Sequence, residues 1–238
     1  MFIKLIIKLL SIFDFFQKKK IINFFINQKL TYLDNFFDVG SHYGETILLF
    51  NKYFKINNIY SFEASPINFK ILNEKTKNIK MTKINIFNFA LGKKNTQLIF
   101  NQSVESQSST FLNVNFKSKY LARKKKFLFL KEDEYFHSKH FVKVIDLKSF
   151  IKDYNIKKIE ILKIDTEGFD FEVIQGLQNE INKVKYIYFE HHFHDMFIKK
   201  YKFSKINNFL VKNNFKKVFK IKMMFRKTFE YIYCNEKL

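Results

Sequence analysis

The stretch EILKIDTEGFDFEVIQGL, residues 160–177, opens as a nearly apolar run and stops at Asp165, Glu167 and Gly168. Apolar residues then recur at helical spacing. A short apolar run followed by a helical pattern predicts a buried strand that leads into a helix. The two carboxylates therefore stand at the carboxyl end of a predicted core strand, where an α/β fold places its ligands.

Similar strand and helix patterns occur along the rest of the chain. Strands are predicted at YLDNFFDVG, NIYSFE, KINIFNFA, IEILKID and VKYIYFE. Runs that are apolar on both faces and separated by helices predict a parallel sheet covered on both sides. After a predicted helix at 204–213, FKKVFKIKMMF and TFEYIYCN predict two strands with a short connection. The predicted fold is thus a doubly wound α/β domain, mostly parallel, with a C-terminal antiparallel strand pair.

The length of 238 residues favours one main domain. We expect an N-terminal helical segment at 1–30 and a single domain at 31–238. An insertion around 96–153 interrupts the alternating pattern. It contains one strand signal, TQLIF, and otherwise charged sequence with little periodicity, so we expect it to be irregular.

The N-terminal sequence MFIKLIIKLLSIFDFFQKKK has two interpretations. No uninterrupted apolar run reaches the roughly 20 residues that span a bilayer. The favoured interpretation is an amphipathic helix packed on the domain; its apolar face would hold Ile3, Ile6, Ile7, Leu10 and Phe13. The alternative is an interfacial helix with Lys18–Lys20 at phospholipid headgroups.

Cys234 is the only cysteine, which favours a reducing compartment. We therefore expect a cytoplasmic protein, with peripheral membrane contact as the alternative.

The net charge of +21 suggests an anionic partner at first sight. However, Arg123 and Arg226 are the only arginines, and Lys, Asn, Ile and Phe are abundant. This usage is typical of a strongly A+T-biased genome, which would enrich Lys whatever the function. Proteins that bind RNA commonly use Arg forks and stacking planes. Nucleic acid is therefore disfavoured as a partner.

The residues that end each predicted strand form one candidate site, because ligands bind at the carboxyl ends of the strands in an open α/β sheet. In chain order these residues are Asp38, Gly40 and Gly44, then Glu63, then Asn88 and Ala90, then Asp165 and Glu167, and finally Glu190 and His191. Five of them are carboxylates in a strongly basic chain.

The first of these loops, DVGSHYGE, discriminates between cofactors by charge. A dinucleotide would lay its pyrophosphate at the helix N-terminus, where Asp38 or Glu45 would repel it. S-adenosylmethionine has no phosphate and carries an ammonium and a sulfonium, which carboxylates favour. Glu63 follows Gly44 by 19 positions, about the spacing of an acid that receives ribose hydroxyls. Both cofactor classes use such an acid, so a nicotinamide-dependent oxidoreductase remains an alternative.

The segments DVGSHYGET, SFEASPINF, NFALG, VIDLKSF, LKIDTEGFDFEVIQGL and YIYFEHH resemble the FkbM family of S-adenosylmethionine-dependent methyltransferases. The resemblance covers about residues 36–192, and KIDTEG is its most specific element. It implies a class I methyltransferase fold and O-methylation of hydroxyls on sugars or natural products. It also implies cofactor contacts at Asp38, Gly40, Gly44 and Glu63, and places Asp165, Glu167 and Gly168 at the reaction edge. The family often has Pro where this chain has Ala64, and the insertion aligns poorly.

Asp165 and Glu167 are the candidate catalytic acids, because a neutral hydroxyl becomes a better nucleophile beside a base. The structural alternative is that Asp165 caps the following helix.

The segment EHHFHD contains residue types that bind metals, but His191 and His192 would point in opposite directions on a strand, and the spacing identifies no third ligand. We therefore assign no metal site and keep His191 as a candidate general base. His42 is expected to shape the glycine loop.

The predicted acceptor is a hydroxyl on a sugar, glycan or other small molecule. The basic run Arg123–Lys126 would favour anionic acceptors if it flanked the acceptor cleft. The net charge keeps an RNA methyltransferase as a further alternative, and this alternative predicts binding that weakens steeply with salt. The third alternative function is a binding module without catalytic activity at a membrane surface.

Overall fold

The computed structural model describes residues 2–80, 82–130, 135–224 and 226–238, with side chains from residue 14 onward. The helices are α1 Phe2–Asn27, α2 Glu45–Tyr53, α3 Pro66–Thr76, α4 Lys119–Phe127, α5 Leu147–Asp153, α6 Asp170–Gly176 and α7 Phe203–Lys212. A 3₁₀ helix spans Gln178–Lys183. The strands are β1 Tyr32–Val39, β2 Lys55–Phe62, β3 Lys83–Phe87, β4 Ala90–Gly92, β5 Thr96–Ser103, β6 Phe136–Asp146, β7 Ile159–Ile164, β8 Val184–His192, β9 Phe215–Lys222 and β10 Thr228–Asn235.

A seven-stranded sheet in the order β3-β2-β1-β7-β8-β10-β9 forms the centre of the protein. Strands β3, β2, β1, β7 and β8 are parallel, whereas β10 is antiparallel to both of its neighbours. Every residue of β7 is buried, as its apolar sequence predicts. The predicted fold class is confirmed, including the C-terminal antiparallel pair at one edge.

The expectation of an irregular insertion is wrong for much of 96–153. Strands β5 and β6 of this region form a second sheet with β4, in the order β4-β6-β5, and the region also contains α4 and α5. Strand β6 alternates between exposed and partly buried residues over most of its length, and Phe141 is 74% exposed. One face of the strand meets solvent, so its sequence is charged and lacks the apolar run of a central strand.

Two apolar clusters cover the two faces of the main sheet. On one face, residues of α5, α6 and α7 such as Phe150, Ile174 and Leu210 pack against the strands. On the other face, Ile22 and Phe25 of α1 pack with residues of α2 and α3. Covering both faces is what a parallel sheet with apolar strands requires.

Helix α1 contacts the main sheet through its C-terminal half, where Ile21, Ile22 and Phe25 are almost fully buried. Gln17 of the same helix donates a hydrogen bond of 2.6 Å to the carbonyl of Lys222 on β9. The five side chains expected on its apolar face, from Ile3 to Phe13, lie outside the described side chains. In the described part of the chain, no helix is long and apolar enough to cross a membrane.

Candidate active site

A cavity of about 330 Å³ opens at the carboxyl ends of the parallel strands. It spans the boundary between β1 and β7, where the strand order reverses direction along the chain. Ligands of open α/β sheets bind at such a boundary because the connections on its two sides run in opposite directions. Of the predicted site residues, Gly40, Glu63, Ala90, Asp165, Glu167 and Glu190 line the cavity.

Glu63 ends β2 and is held by the loops on either side of it. Its carboxylate accepts hydrogen bonds from the backbone N–H of His42 at 2.7 Å and of Ser65 at 2.9 Å. Ser65 also caps α3, since its hydroxyl accepts from the N–H of Asn68. Burial raises the pKa of Glu63 to about 7, although these hydrogen bonds oppose the shift. The carboxylate is therefore fixed in place and poorly hydrated at the cavity wall.

The loop after β1 approaches β7 so closely that only glycine fits at position 40. Gly40 has a φ of +77°, and a Cβ there would lie 1.9 Å from the carbonyl oxygen of Asp165. Gly44 lies away from the cavity, beside Leu72 and Thr76 of α3. Its φ of +85° lets the chain enter α2. The two glycines thus shape the loop in different ways.

Asp38 does not reach the cavity. Its carboxylate is fully buried and lies 2.9 Å from Nζ of Lys163 on the neighbouring strand β7. The same ammonium donates to the carbonyl of Gly40 at 2.9 Å and lies 3.7 Å from Asp165. Burial would lower the pKa of Lys163, but the surrounding carboxylates, Asp38 foremost, raise it above its usual value. The first-strand acid therefore ties β1 to β7 through a buried ion pair.

His42 shapes the first loop as predicted and also lines the cavity. It adopts a φ of 49° and lies 3.3 Å from the carboxylate of Glu45. Burial would raise the pKa of Glu45, but the hydrogen bond and charge of His42 lower it to about 2. Its other ring nitrogen contacts the hydroxyl of Ser106 at 2.6 Å, which links the loop to the turn that follows β5.

The two predicted site residues after the third strand, Asn88 and Ala90, have different positions relative to the cavity. Ala90 lines the cavity, whereas Asn88 supports it from behind by donating a 2.9 Å hydrogen bond to the carbonyl of Glu63. Asn88 therefore positions the end of β2, and of the two residues only Ala90 faces the cavity.

The DTEG turn after β7 presents its first two acids to the cavity. Asp165 does not cap α6, since the residue that closes the turn is Asp170, which accepts from the N–H and hydroxyl of Thr166 at 3.0 and 2.7 Å. Glu167 and Gly168 both have positive φ, at 50° and 94°. This backbone conformation turns the chain sharply between strand and helix and leaves the Asp165 side chain 34% exposed.

Strand β8 contributes two further side chains, Glu190 and His192, beside the DTEG turn. The carboxylates of Glu167 and Glu190 lie 3.4 and 3.5 Å from Nε2 of His192. Burial, together with the charge of Asp165, raises the pKa of both glutamates well above the usual range. Burial likewise lowers the pKa of His192 well below its usual value. All three groups favour their neutral forms in the absence of a bound partner.

His191, the predicted general base, does not belong to this edge. Neighbouring residues of a strand point to opposite faces, and His191 packs against Phe193, Tyr201 and Phe203 on the face away from His192. Burial lowers the pKa of His191 to about 3. Of the two neighbouring histidines of β8, the one that faces Glu167 and Glu190 is therefore His192.

Sequence reasoning also missed the part of the cavity that comes from the two ends of the chain. Asp14 and Lys18 of α1 line it, as does Arg226 between β9 and β10. Arg226 forms an ion pair of 2.8 Å with Asp14. Glu230 of β10 lines the cavity as well and accepts a 2.6 Å hydrogen bond from the hydroxyl of Tyr188.

The basic run Arg123–Lys126 lies at the C-terminal end of α4, and its members differ. Lys124 pairs with Glu105, and Lys125 is buried. Arg123 is exposed and lines a smaller cavity of about 250 Å³ with Lys119 and Lys227. A role in binding anionic acceptors is therefore a hypothesis for Arg123 rather than for the whole run.

The cavity differs in charge from the protein around it. Within the described residues, its wall contains seven carboxyl groups but only three Lys or Arg side chains, although the chain as a whole carries +21. A wall of this charge favours a cationic ligand over a pyrophosphate.

The sheet order, the antiparallel C-terminal pair and the acidic cavity at the strand ends define a class I methyltransferase fold. Residues 38–217 match the family described as the Methyltransferase FkbM domain. This chain belongs to the FkbM family of S-adenosylmethionine-dependent methyltransferases. No curated protein matches the chain.

The solved structures with a similar fold include two methyltransferases. The methyltransferase FkbM from Methylobacillus flagellatus KT is 12% identical, with a TM-score of 0.55. The alignment covers 84% of this chain, which spans 43% of that longer protein. The magnesium protoporphyrin IX methyltransferase from Synechocystis PCC 6803, solved with bound SAM, is 8% identical, with a TM-score of 0.53. That alignment covers 94% of this chain and 81% of the other.

Proposed function

We propose that this protein transfers the methyl group of S-adenosylmethionine to a hydroxyl oxygen of a sugar, glycan or other small acceptor. The main support is the acidic cavity, which has Glu63 at one side and Asp165 and Glu167 at the other. Membership of the FkbM family supports the methyl transfer, and the acceptor class is the more specific part of the proposal.

The residues of the cavity fit this cofactor. The carboxylate of Glu63 would accept hydrogen bonds from the ribose hydroxyls, and Gly40 lines the same cavity. The remaining acids of the wall would stabilise the ammonium and sulfonium charges. When bound, S-adenosylmethionine supplies an activated methyl group and leaves as S-adenosylhomocysteine.

Asp165 and Glu167 act on the acceptor in this proposal. They orient its hydroxyl toward the methyl carbon, and one of them takes the hydroxyl proton as the new C–O bond forms. The electrons of the broken C–S bond remain on sulfur, so charge and atoms balance. Fixing the hydroxyl in this way supplies most of the rate, because a displacement at a sulfonium depends on alignment.

Calorimetric titration of the purified protein with S-adenosylhomocysteine, and separately with a nicotinamide dinucleotide, tests the cofactor. We expect binding of the first alone; binding of the dinucleotide alone would instead support an oxidoreductase.

Asp165→Asn and Glu63→Ala separate the two roles. Asp165→Asn should lower turnover by about 10²-fold or more and leave the affinity for S-adenosylhomocysteine within a few-fold of wild type. Glu63→Ala should weaken that affinity. The proposed assignment is contradicted by a Glu63→Ala protein that binds S-adenosylhomocysteine as tightly as wild type.

A further inference from the structure

Three side chains with metal-binding atoms converge at the ends of β7 and β8. One oxygen of Glu167, one oxygen of Glu190 and one ring nitrogen of His192 all lie within 4.8 Å of one another. We propose that these residues bind a divalent metal cation at the wall of the cavity. Glu167 is separated from the other two by more than twenty positions, so spacing along the chain does not reveal the set.

The charges of this cluster call for a cation. Glu190 is 8% exposed, and the side chain of Glu167 is 15% exposed. Among the described residues, no Lys or Arg forms a salt bridge with either carboxylate. When both are ionised, two poorly hydrated carboxylates repel each other, and a divalent cation that displaced their protons would replace this repulsion with attraction.

The distances distinguish a shared cation from hydrogen bonds. A charge-assisted N–H···O bond is about 2.7–2.9 Å long. The distances from Nε2 of His192 to the two carboxylates, 3.4 and 3.5 Å, are well beyond this length. Two ligand atoms that each lie about 2.1 Å from one metal ion in tetrahedral arrangement are about 3.4 Å apart. The two separations from His192 thus fit ligands arranged around a cation.

His192 provides an independent indication of a ligand. It is 5% exposed, and its Nε2, which faces both carboxylates, has no hydrogen-bond partner within the described residues. Its Nδ1 lies 3.1 Å from the hydroxyl of Thr228 and 3.2 Å from Nε2 of His194. With the proton on Nδ1 and Thr228 accepting it, the Nε2 lone pair is free for a metal, which is the usual arrangement of a ligating histidine.

The donor set indicates the class of metal. Mg²⁺ and Ca²⁺ prefer oxygen ligands only, whereas one imidazole with two carboxylates suits a transition metal such as Mn²⁺ or Zn²⁺. Three protein ligands leave a coordination position open, as in catalytic metal sites, and two of these ligands, Glu167 and Glu190, line the cavity. An acceptor hydroxyl that filled this position would be oriented and made more acidic. That role rests on the proposed methyl transfer, whereas binding of the metal does not.

Electron paramagnetic resonance of Mn²⁺ tests the site on the full-length protein, because free Mn²⁺ gives a six-line spectrum that weakens on binding. We expect one equivalent of Mn²⁺ to bind and Zn²⁺ to displace it. Glu190→Gln and His192→Gln should each weaken Mn²⁺ binding at least tenfold. His191→Gln is the matched control, since it removes the neighbouring imidazole on the opposite face and should leave Mn²⁺ affinity unchanged. Circular dichroism would verify that each variant is folded.

Two results would overturn the proposal: wild-type protein that leaves the Mn²⁺ spectrum unchanged, or folded His192→Gln protein that binds Mn²⁺ as tightly as wild type. Calorimetry with S-adenosylhomocysteine separates this proposal from the proposed function. Mn²⁺ binding without S-adenosylhomocysteine binding would support the metal site and contradict the methyltransferase activity. S-adenosylhomocysteine binding without Mn²⁺ binding would contradict the metal site alone.

Discussion

At the scale of single residues, the partner of each strand-end acid decides its role. Asp38 and Glu63 occur at the ends of adjacent parallel strands, β1 and β2. The ammonium of Lys163 neutralises Asp38, so Asp38 stabilises the sheet. Glu63 is held by backbone N–H groups that carry no full charge and faces the cavity instead. Of the two, Glu63 is the one available to a ligand.

Glu63→Gln should remove part of the pH dependence of the free energy of unfolding. Burial raises the pKa of Glu63 to about 7, so from about pH 4.5 to pH 7 the folded protein holds a proton that the unfolded chain has released. The wild-type protein therefore loses stability as the pH rises through this window, by up to about 3 kcal/mol from this residue. Glutamine has no proton to lose and should lack this contribution.

Chemical denaturation of wild-type and Glu63→Gln protein at pH 5 and pH 8 measures the difference. Glu74→Gln is the control, because the side chain of Glu74 is 71% exposed and should leave the wild-type pH dependence intact. An equal fall in stability for wild type and Glu63→Gln would show that Glu63 ionises normally in the folded state.

The sequence predicts which strand ends meet but not which side chains meet there. Lys163 interrupts the apolar run IEILKID, and this is the one local signal that Asp38 has a partner. No comparable signal separates His191 from His192. A shift of one residue along a strand reverses the face of the sheet, so the choice depends on where β8 begins and ends relative to its neighbours.

At the scale of elements, strands that are buried on both faces could be predicted from the sequence, whereas a strand that is buried on one face could not. The apolar runs of β1, β2, β7 and β8 identified the central strands. Strand β6 pairs with β5 over most of its length, yet its exposed face carries His137, Lys139 and Lys143. A strand with one polar face has no continuous apolar run, so its sequence does not predict a strand unless its neighbours in the sheet are known.

Helix α1 is expected to be part of the folded domain, and Phe25→Ala tests this. Phe25 is fully buried, with its ring 5.4 Å from that of Tyr186 and 6.1 Å from that of Phe50. Replacing a buried Phe by Ala typically costs about 3–5 kcal/mol, through lost contacts and the cavity left behind. Phe25→Ala should lower the free energy of unfolding by an amount in this range.

Phe16→Ala on the same helix is the matched control, since Phe16 is 59% exposed and its loss should change stability by less than about 0.5 kcal/mol. Urea denaturation of both variants gives the comparison. If Phe25→Ala were as stable as Phe16→Ala, α1 would be attached only loosely, and the interfacial interpretation of the helix would gain support.

At the scale of the whole molecule, the positive charge and the acidic site are spatially separated. Lysines cover the exterior, whereas carboxylates predominate in the cavity wall. The exterior charge attracts polyanions without sequence preference, and the acidic wall disfavours placing a phosphate backbone at the site. Net charge is therefore a poor guide to the substrate of this protein.

RNA should accordingly bind only weakly, and outside the cavity. Fluorescence anisotropy with a labelled single-stranded RNA should show affinity that falls by about 10³-fold or more between 50 and 200 mM salt, because lysine–phosphate contacts release counterions. A saturating amount of RNA should leave the affinity for S-adenosylhomocysteine unchanged, since the two occupy different surfaces. RNA that stays bound at 200 mM salt, or that alters S-adenosylhomocysteine binding, would place a phosphate backbone at the acidic site and favour an RNA methyltransferase.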